Sequence, residues 1–248
     1  MNKNEPTINK NGLRFEAVND AIMEPDFKTR LLNAIDFAWE LFQSKVALGE
    51  VKVNKEASMQ LSYSMTLERV LPLFLREVEK GERATIILEM TQFNKLNKRK
   101  PALSSDPVYR EIDLVLRGIS SNEVINIAVE MKCHKQKTSN GNERSAHTDF
   151  RRYVYMDLER LEEFCDVDCA CTDNDTFDAG VALVMADHDT FHSQKSTLKF
   201  SLTNGTKFEP ESNDKNLAEA GIVLKKSYNF NWDVREGNYF LKCVVHRD

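Results

Sequence analysis

The sequence predicts an α/β fold, a central mixed sheet flanked by helices in the order αβββαβ, with antiparallel additions toward the C-terminal end. Three observations lead there. Apolar residues recur at three and four along 27–46 and again along 59–79, which is helical spacing. The period then falls to two, or to unbroken apolar runs, in four stretches between 84 and 186. A further helical stripe at 148–164 separates the third of those stretches from the fourth.

Taken in order, the first helix carries Leu31, Ile35, Ala38, Trp39, Phe42 and Val46 on one side and stops near Gly49. The second, from Met59 to Glu79, is expected to place Leu61, Met65, Leu71, Leu75 and Val78 on its stripe, and Pro72 should kink or restart it. "ATIILEM" (84–90), "EIDLVLR" (111–117), "EVINIAVEMK" (123–132) and "AGVALVMA" (179–186) read as strands. The linker "GISSN" makes the middle two a hairpin. Between the last two, "TDFRRYVYMDLERLEEF" aligns Phe150, Val154, Leu158 and Leu161 behind a Thr or Asp cap. "NFNWDV" and "YFLKCVV" form a hairpin around "REGN". Gly118 and the other scattered glycines read as turns. With 248 residues the chain can bury one core. We expect a single domain, its core at about 59–186, with a helical extension at 1–58 and a β-rich addition at 196–248.

Composition narrows the function classes. Apolar residues at 41% and charged ones at 29% suit a globular chain. No apolar run approaches the roughly 18 residues that span a bilayer. "MNKNEPTINKNG" lacks the apolar core of a signal peptide, so a cytoplasmic protein without membrane contact is expected. Five unevenly spaced cysteines fit free thiols, and "CDVDCAC" lacks the second pair a structural zinc site needs. A net charge of -5 argues against a surface coated in nucleic acid but leaves room for a local basic groove. No G-x-S-x-G, Walker-type or dinucleotide-binding glycine pattern is present. "ADHDTFH" offers His188 and His192 at H-x-x-x-H spacing, but without the metalloprotease glutamate it reads as a turn after a strand.

The chemistry concentrates in "YREIDLVLRGISSNEVINIAVEMKCHK". Strand alternation puts Ile112, Leu114 and Leu116 on one face and Asp113 on the other. In the next strand Glu130 and Lys132 share a face, opposite Val129 and Met131, and the hairpin would bring Asp113 near both. Two carboxylates and an amine at the end of an apolar sheet are costly unless paired or holding a metal. Carboxylate oxygens suit Mg2+, which takes one or two carboxylates and leaves room for substrate phosphate.

Asp113, followed after a gap by Glu130-Met131-Lys132, resembles the D...(D/E)-x-K signature of the PD-(D/E)XK nuclease superfamily, and the αβββαβ order over about 59–186 is similar to that family's restriction-endonuclease-like core. Ile112 stands where the name-giving proline would be. The resemblance implies that Asp113 and Glu130 bind catalytic Mg2+ (or Mn2+), that the Met131 carbonyl completes the shell, and that Lys132 activates the attacking water. It also implies an acidic residue on the first core helix, for which Glu68 is the candidate. The helix after E-x-K, with Arg151, Arg152, Tyr153, Tyr155 and Arg160, is expected to face DNA. Lys95, Lys98, Arg99 and Lys100 in "NKLNKRK", with Lys135 and Lys137, are the further phosphate-binding candidates. The acidic run 162–178 should lie away from DNA.

The expected function is therefore a metal-dependent endonuclease acting on DNA, in restriction or phage defence, and a homodimer if both strands are cut. Two alternatives stay open. One is an inactive nucleic-acid-binding or protein-interaction module of the same fold, and the other is an RNA-directed or ligand-activated nuclease.

Overall fold

The structure, a computed structural model, describes residues 24–94, 108–137, 141–144, 147–166, 177–193, 199–210 and 215–247, the side chains of 92–94 and 108–110 excepted. Helix α1 (Phe27–Ala47) starts where the Asp26 carboxylate accepts from Thr29 N at 2.7 Å. Its expected stripe is buried throughout. Helix α2 (Glu56–Val70) starts where Ser58 Oγ accepts from Asn54 N and Lys55 N. Pro72, which lacks an N–H, sits in the 3-10 turn Leu71–Leu73 that ends it, and a short α3 (Glu77–Lys80) follows.

The stripe of α2 differs from expectation. Leu61 and Met65 are exposed, as is Val78, whereas Met59, Tyr63, Leu67 and Val70 are buried. Aromatic packing decides this: the Tyr63 ring meets Trp39 and Phe42 of α1 edge-on, and its hydroxyl donates to the Ile35 carbonyl at 3.1 Å.

Strands β1 (Arg83–Asn94), β2 (Val108–Ile119), β3 (Val124–His134), β4 (Ala179–Ala186), β7 (Trp232–Arg235) and β8 (Asn238–His246) form a six-stranded sheet in the order β1-β2-β3-β4-β8-β7. Among the described strands only β3 and β4 pair in parallel. A parallel pair needs a crossover, and α4 (His147–Cys165) lies within it. β5 (Thr206–Phe208) and β6 (Tyr228–Phe230) make a separate ladder, with α5 (Lys215–Ala220) between them. The result is an α/β fold with a mixed sheet. One face packs against α1 and α2 through Leu114, Leu116, Ile127, Val129 and Leu183. The other packs against α4 and the C-terminal segments through Val115, Ala128, Val184 and Leu241. β4, covered on both sides, is buried at every position, which explains its unbroken apolar run. No helix among the described residues is long and apolar enough to cross a membrane.

Two readings are corrected here. Gly118 is not a turn but, like Gly180 in its expected strand, a strand residue under a packed helix. A Cβ on Gly118 would lie 2.4 Å from Leu31 Cδ1 of α1, and one on Gly180 would lie 2.9 Å from Leu161 Cβ of α4. Strict alternation in β2 also fails. Ile112 joins Val115 on the α4 side instead of sharing a face with Leu114 and Leu116. The break is at Asp113, opposite Glu89 of β1, whose φ of 51° lies in the left-handed region. Past that break the β2–β3 ladder stops at Leu114–Val129.

Candidate functional site

Past the end of that ladder, Asp113 meets the Glu130-Met131-Lys132 segment through its side chain instead of a backbone pair. Asp113 Oδ2 accepts from the Met131 N–H at 2.6 Å, and its own carbonyl accepts from the Gln60 amide of α2. Asp113, half-buried, is thus pinned beside the Glu130-Met131-Lys132 segment from two sides.

Glu130 and Lys132 point toward α4, on the face opposite Val129 and Met131. Glu130 is 2% exposed, and its Oε1 lies 3.2 Å from Arg160 Nη1. The same guanidinium nitrogen is 3.5 Å from Asp157 Oδ1. Lys132 Nζ lies 3.3 Å from both Asp157 Oδ2 and Glu56 Oε1, and donates to the Met131 carbonyl at 3.3 Å. Four carboxylates (Glu56, Asp113, Glu130, Asp157) therefore face two cations (Lys132, Arg160). Asp157 is 4% exposed, and its Oδ2 has an ion-pair partner but no hydrogen bond.

The burial of these carboxylates shows in the titrations. Burial, then the Asp157 charge, pushes Glu130 up to about 8 from an ordinary 4.5. Burial also raises Asp157, to about 6 from 3.8, and raises Glu56. Lys132 is raised by Asp157 and Glu56 against the opposing effect of burial, which is larger than either alone, so it stays charged.

The sign of the pH dependence follows. A carboxyl with a raised native pKa stabilises the fold while protonated, and that contribution is lost as pH climbs to the native pKa. His134, pushed down to about 4 by burial, and His188, also lowered, act in the other direction, but only below their ordinary 6.5. Between pH 6.5 and 8.5, without divalent ions, stability should fall by roughly 1–3 kcal/mol. Urea unfolding across that window checks it, and a flat profile would contradict the buried-charge account.

Sequence reasoning missed Glu56 and Asp157. The helix glutamate beside the network is Glu56, in the first turn of α2. Glu68, near the other end of that helix, is exposed and lines a different groove with Leu61 and Met65. Arg160 belongs to the network rather than to a free surface. Arg151 is a correction: buried on α4 at 4% exposure, with Nη2 donating to Thr148 Oγ1, its guanidinium is not a surface cation. Arg152 is half-exposed, 3.2 Å from Asp149 and stacked over Tyr153. Tyr155 is buried, donating to the Ser201 carbonyl. Lys135 pairs with Asp187 at 2.9 Å, and Lys137 is exposed. Lys95, Lys98, Arg99 and Lys100 lie outside the described residues. In the acidic run, Glu162 is structural: it accepts from Lys225 N, Lys226 N and the Tyr228 hydroxyl.

A groove of about 440 Å³ runs past the network, lined by Glu56, Lys132, His134, Arg144, Phe150 and Tyr153. His134, on its wall, meets His147 and His188, three imidazoles close enough to hold one metal ion together. His192 is apart from them, beside Tyr239. Comparison with protein-family models, with curated proteins and with solved structures finds nothing similar to this chain.

Proposed function

We propose that the protein is a metal-dependent nuclease of the PD-(D/E)XK kind, acting on DNA. The observation that carries this reading is that Asp113, bonded to the Met131 N–H, lies within electrostatic reach of Glu130 and Lys132 just past the end of the β2–β3 ladder, among more carboxylates than cations. The αβββαβ order and the parallel β3–β4 pair support it.

The donor set fits Mg2+: hard carboxylate oxygens, a backbone carbonyl, and the Asp157 oxygen without a hydrogen bond. Asp113 and Glu130 would hold the ion, with the Met131 carbonyl beside them. Bound there, Mg2+ supplies charge neutralisation at a phosphate and a more acidic water. Lys132, held charged, orients that water or the phosphate as a donor and does not take its proton. The proton acceptor we assign is Glu56, a half-exposed carboxylate with a raised pKa on the groove wall. Arg144, on the groove wall, would make a phosphate contact. Restriction or phage defence, and a homodimer for double-strand cutting, follow by analogy with the superfamily.

The test is cleavage of supercoiled plasmid, single-stranded DNA and RNA with Mg2+, Mn2+ or EDTA. Lys132→Met should lower kcat by about 100-fold or more while the Mg2+ concentration for half-maximal rate changes only a few-fold. If no substrate is cut and Mg2+ does not bind, the network is an ion-pair cluster in a binding module.

A further inference from the structure

The proposed reaction leaves His134, His147 and His188 unused. They come from three elements: the last residue of β3, the first of α4, and the second residue past β4. One ligand nitrogen from each lies within 4.8 Å of the others, and the ring centroids are 4.9 to 5.5 Å apart. Phe150 and Phe191 wall the group, at 5.0 and 5.1 Å from the His134 ring.

Their hydrogen bonding is incomplete. His134 Nδ1 and His188 Nε2 share one bond at 2.7 Å, and His134 Nε2, His147 Nδ1 and His188 Nδ1 are buried with no partner. A core histidine ordinarily satisfies its ring nitrogens. Three imidazoles turned toward one another against an apolar wall are arranged for something that accepts lone pairs.

We propose that His134, His147 and His188 bind a zinc-class divalent ion, which clamps the first turn of α4 to the ends of β3 and β4. The ligand chemistry selects the ion. Imidazole nitrogen favours Zn2+, Cu2+, Ni2+ or Fe2+, whereas Mg2+ prefers oxygen. Zn–N bonds of about 2.0–2.1 Å in a tetrahedron put nitrogens about 3.3 Å apart. One nitrogen from each ring, now within 4.8 Å of the others, must settle to that spacing. His147 can do so, being half-exposed on an end turn of the helix. Burial also keeps His134 and His188 in the neutral form that ligates.

Placement gives the ion a consequence. His134 lies two residues beyond Lys132 on the same face of β3 and lines the same groove. α4, held at its first turn, carries Asp157 and Arg160. The clamp would thus set the position of the helix that completes the carboxylate network. The site itself does not depend on the nuclease reading.

The experiment strips the full-length protein with EDTA, adds Zn2+ alone and measures stoichiometry and affinity, then repeats with Co2+ to read its visible absorption. Wild type should bind one Zn2+ that His147→Ala weakens by about 100-fold or more, with loss of the tetrahedral Co2+ bands. Circular dichroism of the zinc-free variant should match wild type, and His188→Ala provides a second ligand deletion. Glu130→Gln should leave Zn2+ affinity within about three-fold, because a separate site supplies it. The proposal is overturned if wild type binds no Zn2+, if either histidine variant binds it as tightly, or if Glu130→Gln abolishes binding.

Discussion

Asp113→Asn is expected to lower metal-dependent cleavage by about 1,000-fold or more, a loss of roughly 4 kcal/mol of transition-state stabilisation, while the chain still folds. The folded state keeps what Asp113 gives it. An asparagine Oδ1 can still accept from the Met131 N–H, and the residue's carbonyl still accepts from Gln60. What disappears is one of the two charges proposed to hold Mg2+. The isosteric change matters, because Asp113→Ala would also orphan the Met131 N–H and mix in a folding penalty of about 1–3 kcal/mol. Glu130→Gln should have a similar effect on rate. Single-turnover cleavage and Mg2+ titration calorimetry check both, with unfolding curves as the control. Activity within ten-fold of wild type at saturating Mg2+ would remove Asp113 from the site.

The two carboxylates were legible in the sequence because their signal is local. Each sits in an apolar run that reads as a strand, and the short linker between the runs makes a hairpin the simplest pairing. Asp157 left a signal too: it falls among Val154, Leu158 and Leu161 on the apolar stripe of α4, where a charge needs a partner. Glu56 left a weaker one, since an acidic residue in a first helical turn is ordinary. The face change at Asp113 was not legible, because it depends on how Glu89 on the neighbouring strand bends. Nor was the histidine cluster. His188 and His192 share a motif-like spacing yet do not meet, whereas His134, His147 and His188 share none and do. The crossover through α4 brings those three together, and it exists only once β3 and β4 have paired. Local pattern located the elements; tertiary closure decided which polar groups meet.

The same closure makes Arg160 the residue whose loss should most disturb the fold. Glu130 and Asp157 are 2% and 4% exposed, and one Arg160 nitrogen lies within 3.5 Å of both. Lys132 reaches Asp157 at 3.3 Å, so Arg160→Met leaves Glu130 as the carboxylate with least compensation. Removing one partner from a buried ion pair costs about 3–5 kcal/mol, because the other charge is left in low dielectric. In urea unfolding that penalty should be approached only at about pH 9 or above, past the raised Glu130 value of about 8. At pH 5 it should shrink to about 1 kcal/mol, since both carboxyls are already raised and the variant raises them further, letting them bind protons instead of bearing charge. Millimolar Mg2+ should recover part of the loss at about pH 9 if the proposed ion site is real, as a ligand of the native state alone stabilises it. An equal penalty at both pH values would mean that Arg160 matters for the packing of its stem, and the network would lose its claim to be organised around excess negative charge.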